Sequence, residues 1–172
     1  MSPGAPSGRG SWRPLAALGG PAWLGAPGYE DHPELAGPLA ELLAGEARGF
    51  LARAPACVVA LPLHTRRYHA RKYDQAQLLA GALAKLTGRE APVGWLTRTK
   101  DTQRQVGLSE AERAHNVAEA FTASADVEGR EVLLLDDVFT TGATARAAAT
   151  ALRGAGAARV EMLTVARAFS LG

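Results

Sequence analysis

Residues 132–144, VLLLDDVFTTGAT, constrain the fold of this chain more than any other stretch. Val132, Leu133, Leu134 and Leu135 run without polar alternation into adjacent carboxylates, Asp136 and Asp137. Two apolar residues follow, then Thr140-Thr141-Gly142-Ala143-Thr144, then an Ala-rich helical pattern. An unbroken apolar run fits a strand buried on both faces, as in a parallel sheet covered by helices. The carboxylates then fall at the carboxyl end of that strand, where open α/β sheets bind ligands. A Thr/Gly turn that opens a helix offers free backbone N–H groups and the positive end of the helix dipole to an anion. Carboxylates beside such a cradle can accept hydrogen bonds from a ribose diol or hold a hydrated Mg²⁺. An Asp-Asp pair alone would suggest only an acidic strand edge. The whole string is more specific.

That string resembles the 5-phosphoribosyl 1-pyrophosphate (PRPP) motif of type I phosphoribosyltransferases. The resemblance implies a three-layer α/β fold with a mainly parallel twisted sheet. It assigns Asp136 and Asp137 to the ribose, and Thr140, Thr141, Gly142, Ala143 and Thr144 to the 5-phosphate. Mg²⁺ is expected to arrive with PRPP, with no direct protein metal ligand. Purine salvage relatives of the hypoxanthine–guanine type carry an Asp where Thr140 stands. Threonine cannot serve as a base, so that salvage reaction is not expected here. No catalytic residue is assigned.

The rest of the pattern agrees with α/β organisation. The length of 172 residues suits one domain with a substantial core. Residues 1–32, rich in Gly and Pro, are expected to form an irregular leader, and 33–172 the domain. A helix is expected from Pro33 to about Arg53, with Leu35, Leu39, Leu42, Leu43, Phe50 and Leu51 on one side. Ala56–Leu61 reads as a buried strand, and 74–87 as a helix with Leu78, Leu79, Leu83 and Leu86 on one face. Val93–Leu96 reads as a brief strand, Glu131–Asp136 as the main strand, Thr144–Ala155 as a helix, and Arg159–Ala166 as the last strand. Strands separated by helices imply βαβ crossovers and a parallel sheet.

Between these elements lie two polar segments. The loop after the first buried strand holds His64, Arg66, Arg67, His69, Arg71 and Lys72, with Tyr68 and Tyr73 interleaved and no acid before Asp74. It opens at the same sheet edge as the Asp pair. Its cations could neutralise a pyrophosphate, Arg in a bidentate manner and Lys as a point charge. Basic residues with aromatics also suit single-stranded nucleic acid. The second segment, Arg98 to Phe121, is a long insert whose length and polarity fit a lid. Arg98, Lys100, Gln105, Arg113 and Asn116 are its candidate contacts.

Read with the Asp pair, both segments resemble the ComF family of competence proteins. Val59-Ala60-Leu61-Pro62-Leu63-His64 and Arg71-Lys72-Tyr73-Asp74-Gln75 fit the family's V-P-V-P-L-H…R-G-F-N-Q pattern. Thr102, Gln105, Leu108, Arg113, Asn116, Val117, Ala120 and Phe121 fit its T-x-x-Q-x-x-L-x-x-x-x-R-x-x-N-V-x-x-A-F pattern. Ala60, Lys72 and Asp74 depart from it, standing where the family has Pro, Gly and Asn. Many relatives carry a four-cysteine zinc module that has no counterpart in these residues, and no zinc site is expected. The resemblance implies a protein that assists single-stranded DNA uptake in natural transformation, with a competence helicase as a possible partner. Two other functions fit the same residues: a metabolic phosphoribosyltransferase for a base or amine, and a non-catalytic PRPP-sensing module.

Composition narrows the setting. A formal net charge of +2 does not announce a nucleic-acid binder, so any basic patch must be local. The lone cysteine, Cys57, lies in an apolar run, which suits a buried thiol in a reducing cytoplasm. No 18-residue apolar run suggests a membrane span.

Overall fold

In a computed structural model, residues 14–15, 32–62, 74–99, 120–139 and 142–167 are described. Six strands and four α-helices follow in chain order: β1 (Pro14–Leu15), α1 (Ala36–Glu46), α2 (Arg48–Leu51), β2 (Cys57–Ala60), α3 (Gln75–Thr87), β3 (Leu96–Arg98), β4 (Phe121–Ala123), β5 (Glu131–Phe139), α4 (Ala143–Gly154) and β6 (Arg159–Arg167). The main sheet has the order β1-β6-β5-β2 and every pairing in it is parallel.

The central strand β5 explains the unbroken apolar run. Its Val132, Leu133, Leu134 and Leu135 have no exposed surface. Leu133 and Leu135 pack with Leu39, Leu43, Leu79 and Leu83, which belong to α1 and α3. Val132 and Leu134 pack with Ala147, Ala148 and Leu152 of α4. One helix layer therefore covers each face, and successive residues point into different cores. This is the three-layer architecture expected from the sequence.

Helix α3 has the termini its sequence encodes. The Asp74 side chain accepts a hydrogen bond from the Gln77 N–H at 3.2 Å, an N-cap, and Gly88 closes the other end at φ 65°. Its buried stripe is Gln75, Ala76, Leu79, Ala80, Leu83 and Ala84. Leu78 and Leu86 were expected on that stripe but are 39% and 52% exposed, as Leu42 of α1 is at 38%. Alanines pack closely against α1 instead, and the three leucines turn outward.

Other boundaries differ for local reasons. The helix expected over 33–53 begins as a 3-10 turn at Pro33–Leu35 and breaks at Ala47. Gly45 and Gly49 weaken helix on either side of the break. The strand expected at Val93–Leu96 is displaced to Leu96–Arg98, and Val93 is 77% exposed. Pro92 lacks an N–H and Gly94 takes φ 81°, so the chain turns before it can extend. The insert also has structured ends. Arg98 pairs with Phe121, Thr97 with Thr122 and Leu96 with Ala123 in an antiparallel ribbon, and Leu96 and Phe121 are buried in the α4-side core. The central strand runs three residues further than expected, to Phe139. The leader is not wholly irregular either. Pro14 and Leu15 pair in parallel with Met162 and Leu163 of β6. A proline without an N–H is tolerated there because β1 is an edge strand.

The amino-terminal end of the sheet is closed by a polar cluster. The Arg130 guanidinium donates to Cys57 Sγ at 3.1 Å and to Glu90 Oε2 at 2.7 Å, and stacks 5.2 Å from the Trp95 ring centroid. The hydrogen bond to Cys57, then the contacts with Glu90, hold the Arg130 pKa above its ordinary value. Cys57 itself is buried. No helix among the described residues is long and apolar enough to cross a membrane.

Candidate functional site at the carboxyl end of the sheet

The opposite end of the sheet carries the candidate site. Strand β5 leaves the double core at Leu135 and places partly buried Asp136 at the next position. The Asp137 backbone continues the strand. Beyond the strand end, Gly142 takes φ 74° and ψ 4° as the N-cap of α4, and the Arg146 N–H bonds back to its carbonyl at 2.9 Å. That left-handed conformation is one that glycine adopts without a Cβ penalty. No side-chain cap bond satisfies this helix end. The N–H groups of a helix's first turn point along its axis, with the positive end of the helix dipole behind them. Ala143 and Thr144, both partly buried, form the first turn.

Strand β2 delivers the chain to the same edge. The Leu61 N–H donates to the Leu135 carbonyl at 2.8 Å, one residue before Asp136. The chain enters the basic loop after Pro62 and returns at Asp74, the cap of α3. Both ends of the loop thus bracket the Asp136 edge. The loop residues Arg66, Arg67, Arg71 and Lys72 lie outside the described residues, as do Thr140, Thr141, Lys100, Gln105, Arg113 and Asn116. Of the candidate lid contacts, Arg98 is described. It sits on β3 with its guanidinium 5.5 Å from the Phe121 ring centroid.

Sequence reading passed over Thr164 at this edge and named Gln75 only as part of a family pattern. Gln75 and Thr164 are the buried polar side chains among the described residues, at 3% and 2% exposure. Gln75 opens α3, and its Nε2 donates to the His32 carbonyl at 3.4 Å. Thr164 of β6 is the register partner of Asp136. A hydroxyl in the otherwise apolar run Met162-Leu163-Thr164-Val165-Ala166, level with a carboxylate on the next strand, was the signal available.

A parallel sheet under helices, with a carboxylate in the carboxyl-terminal half of its central strand and a left-handed glycine opening the next helix, is the arrangement of a phosphoribosyltransferase-type α/β domain. The chain belongs to the family described as the phosphoribosyl transferase domain, whose model matches residues 75–170, more than half of the sequence. Among proteins of known name it is 34% identical over 138 residues to the DNA utilization protein YhgH of Salmonella typhimurium, a match covering 78% of this chain and 61% of that protein. It is 32% identical over 117 residues to Competence protein F of Haemophilus influenzae, covering 66% of this chain and 51% of that protein. The chain therefore spans about half to three-fifths of the length of these curated relatives. The resemblance to ComF-family competence proteins holds with these relatives. Among solved structures, it is similar to glutamine PRPP amidotransferase from B. subtilis complexed with ADP and GMP. That match has 26% identity and a TM-score of 0.50, covering 78% of this chain and 26% of that one. A structure described as the allosteric regulatory enzyme of purine biosynthesis matches at 27% identity and a TM-score of 0.51, covering 77% of this chain and 25% of that one.

Proposed function

We propose that this chain is a ComF-like protein that binds PRPP or a related ribose phosphate and assists single-stranded DNA uptake in the cytoplasm of a naturally transformable cell. The observation that carries the ligand reading is that Asp136, in the carboxyl-terminal half of β5, and the Gly142-capped amino terminus of α4 belong to one strand–turn–helix connection at the carboxyl end of the sheet. A 5-phosphate would take the first-turn N–H groups of α4, with Thr140, Thr141 and Thr144 adding hydroxyl donors. Asp136 and Asp137 would take the ribose hydroxyls. A carboxylate near the carboxyl end of the strand fits a hydrated Mg²⁺ that arrives with PRPP, since Mg²⁺ keeps several waters and favours oxygen donors and substrate phosphates. When bound, Mg²⁺ would neutralise part of the pyrophosphate charge. Arg66, Arg67, Arg71 and Lys72 would add to that neutralisation or track a DNA backbone. The DNA role rests on the names of the relatives and on those cations.

Calorimetric titration of Mg²⁺-PRPP tests the site. Each lost charged hydrogen bond costs about 1.5–3 kcal/mol. The double variant Asp136→Ala/Asp137→Ala is therefore expected to bind about tenfold more weakly or worse. A folded wild-type protein that does not bind would overturn the ligand reading. The second reading, a metabolic phosphoribosyltransferase, is favoured by the likeness to PRPP amidotransferase. Turnover of PRPP with a defined base or amine would select it. Saturable binding with neither turnover nor DNA affinity would select a PRPP-sensing module.

A further inference from the structure

Thr164 occupies a position that apolar packing alone does not explain. Along β6, Val160 joins the α4-side core and Met162 packs with Ala145 in the first turn of α4. Leu163 and Val165 join the opposite core. Strand alternation therefore places Thr164 on the α4 face. It lies one step of the same face, about 6.6 Å, beyond Met162. Since Met162 is already level with the first turn of α4, Thr164 lies under the opening of that helix. Asp136 is on the same face of β5, two residues beyond Leu134, and is the register partner of Thr164. Neighbouring strands are about 4.8 Å apart, so a threonine hydroxyl and an aspartate carboxylate at paired positions are within side-chain reach.

A buried hydroxyl needs a hydrogen-bond partner to offset its lost hydration. A carboxylate that must meet a ribose diol needs a fixed orientation, which a neighbouring donor supplies. We propose that Thr164 is a positioning residue of the ribose-phosphate site, its hydroxyl turning onto the Asp136 carboxylate when the ligand binds and holding it in the orientation that meets the ligand. The inference rests on the ribose-phosphate reading above and adds to it a residue from a second strand, so that both β5 and β6 shape the site.

The test is calorimetric titration of Mg²⁺-PRPP into wild type, Thr164→Val, Thr164→Ser and the same Thr164→Val change in an Asp136→Asn background, with a thermal melt of each protein. Valine keeps the volume and removes the hydroxyl. Serine keeps the hydroxyl and leaves a small void in the core. The expected result is an approximately tenfold weaker Kd for Thr164→Val, the worth of one charge-assisted hydrogen bond, with its melting temperature preserved. Thr164→Ser should bind within about twofold of wild type although it melts lower, since it retains the donor. A purely structural role would make affinity follow stability across the two variants. In the Asp136→Asn background the valine substitution should have little further effect, because coupled residues are not additive. Wild-type binding with an equally tight Thr164→Val would overturn the role of Thr164 and leave the ribose-phosphate site standing. An undiminished loss in the Asp136→Asn background would overturn the role as well. Absence of binding by folded wild type would remove both.

Discussion

At the scale of single residues, the site depends on backbone conformation as much as on charge. Gly142 is buried and sits at φ 74°, where an L-residue with a Cβ pays about 1–2 kcal/mol. Gly142→Ala is expected to lower unfolding free energy by that amount in a urea titration. If the proposed phosphate site is correct, it should also weaken Mg²⁺-PRPP binding, because there the backbone would approach the phosphate closely; unchanged stability and affinity would show that the turn relaxes at no cost. Asp136 and Gly142 were legible in the sequence because a long motif joined them. Thr164 was not, because its meaning arises from strand register: Asp136 and Thr164 pair across β5 and β6 although they are distant in sequence. The left-handed turn could be read from one glycine, whereas a cross-strand hydroxyl needs the sheet.

At the scale of elements, the double-sided burial of β5 makes it the least replaceable part of the molecule. Leu134 is fully buried against Ala148 and Leu152, side chains of a helix rich in alanine. Small neighbours do not expand to fill a void, so Leu134→Ala should cost about 2–5 kcal/mol, read as a lower urea midpoint with little change in slope. A cost below 1 kcal/mol would mean that α4 closes onto the strand. Sequence periodicity found these elements because apolar spacing follows burial. It placed Leu78 and Leu86 wrongly because α3 packs on α1 through Ala76, Ala80 and Ala84. Hydrophobicity alone does not reveal when a small residue is preferred at close contact. It also missed the β3–β4 ribbon, since Leu96–Arg98 and Phe121–Ala123 are short and their pairing joins residues on either side of the insert. The ribbon gives that insert a fixed base on the α4-side core.

At the scale of the whole molecule, polarity is divided between the two ends of the sheet. Arg130, Glu90, Arg159, Glu131 and Glu161 pair with one another at the amino-terminal end. The Arg159 pKa is raised there, mainly by its hydrogen bond to Glu161. At the carboxyl end the described chain stops at Pro62 and resumes at Asp74, on either side of the basic segment read from the sequence. If that loop carries DNA, affinity for an oligothymidylate should fall steeply between 50 and 200 mM salt, with a log–log slope of about −0.7 per phosphate contact. Arg71→Ala/Lys72→Ala should flatten that slope by roughly 1.4, and a salt-insensitive signal would count against the DNA role. The outer side of the sheet has a different consequence. Strand β6 is nine residues long, yet among the described residues only Pro14 and Leu15 lie along its outer edge. That two-residue strand shields part of a row of backbone donors and acceptors that would otherwise template strand addition by another chain. Pro14 and Leu15, first read as part of a loose leader, therefore occupy positions along β6 that a strand from another chain would otherwise be free to take.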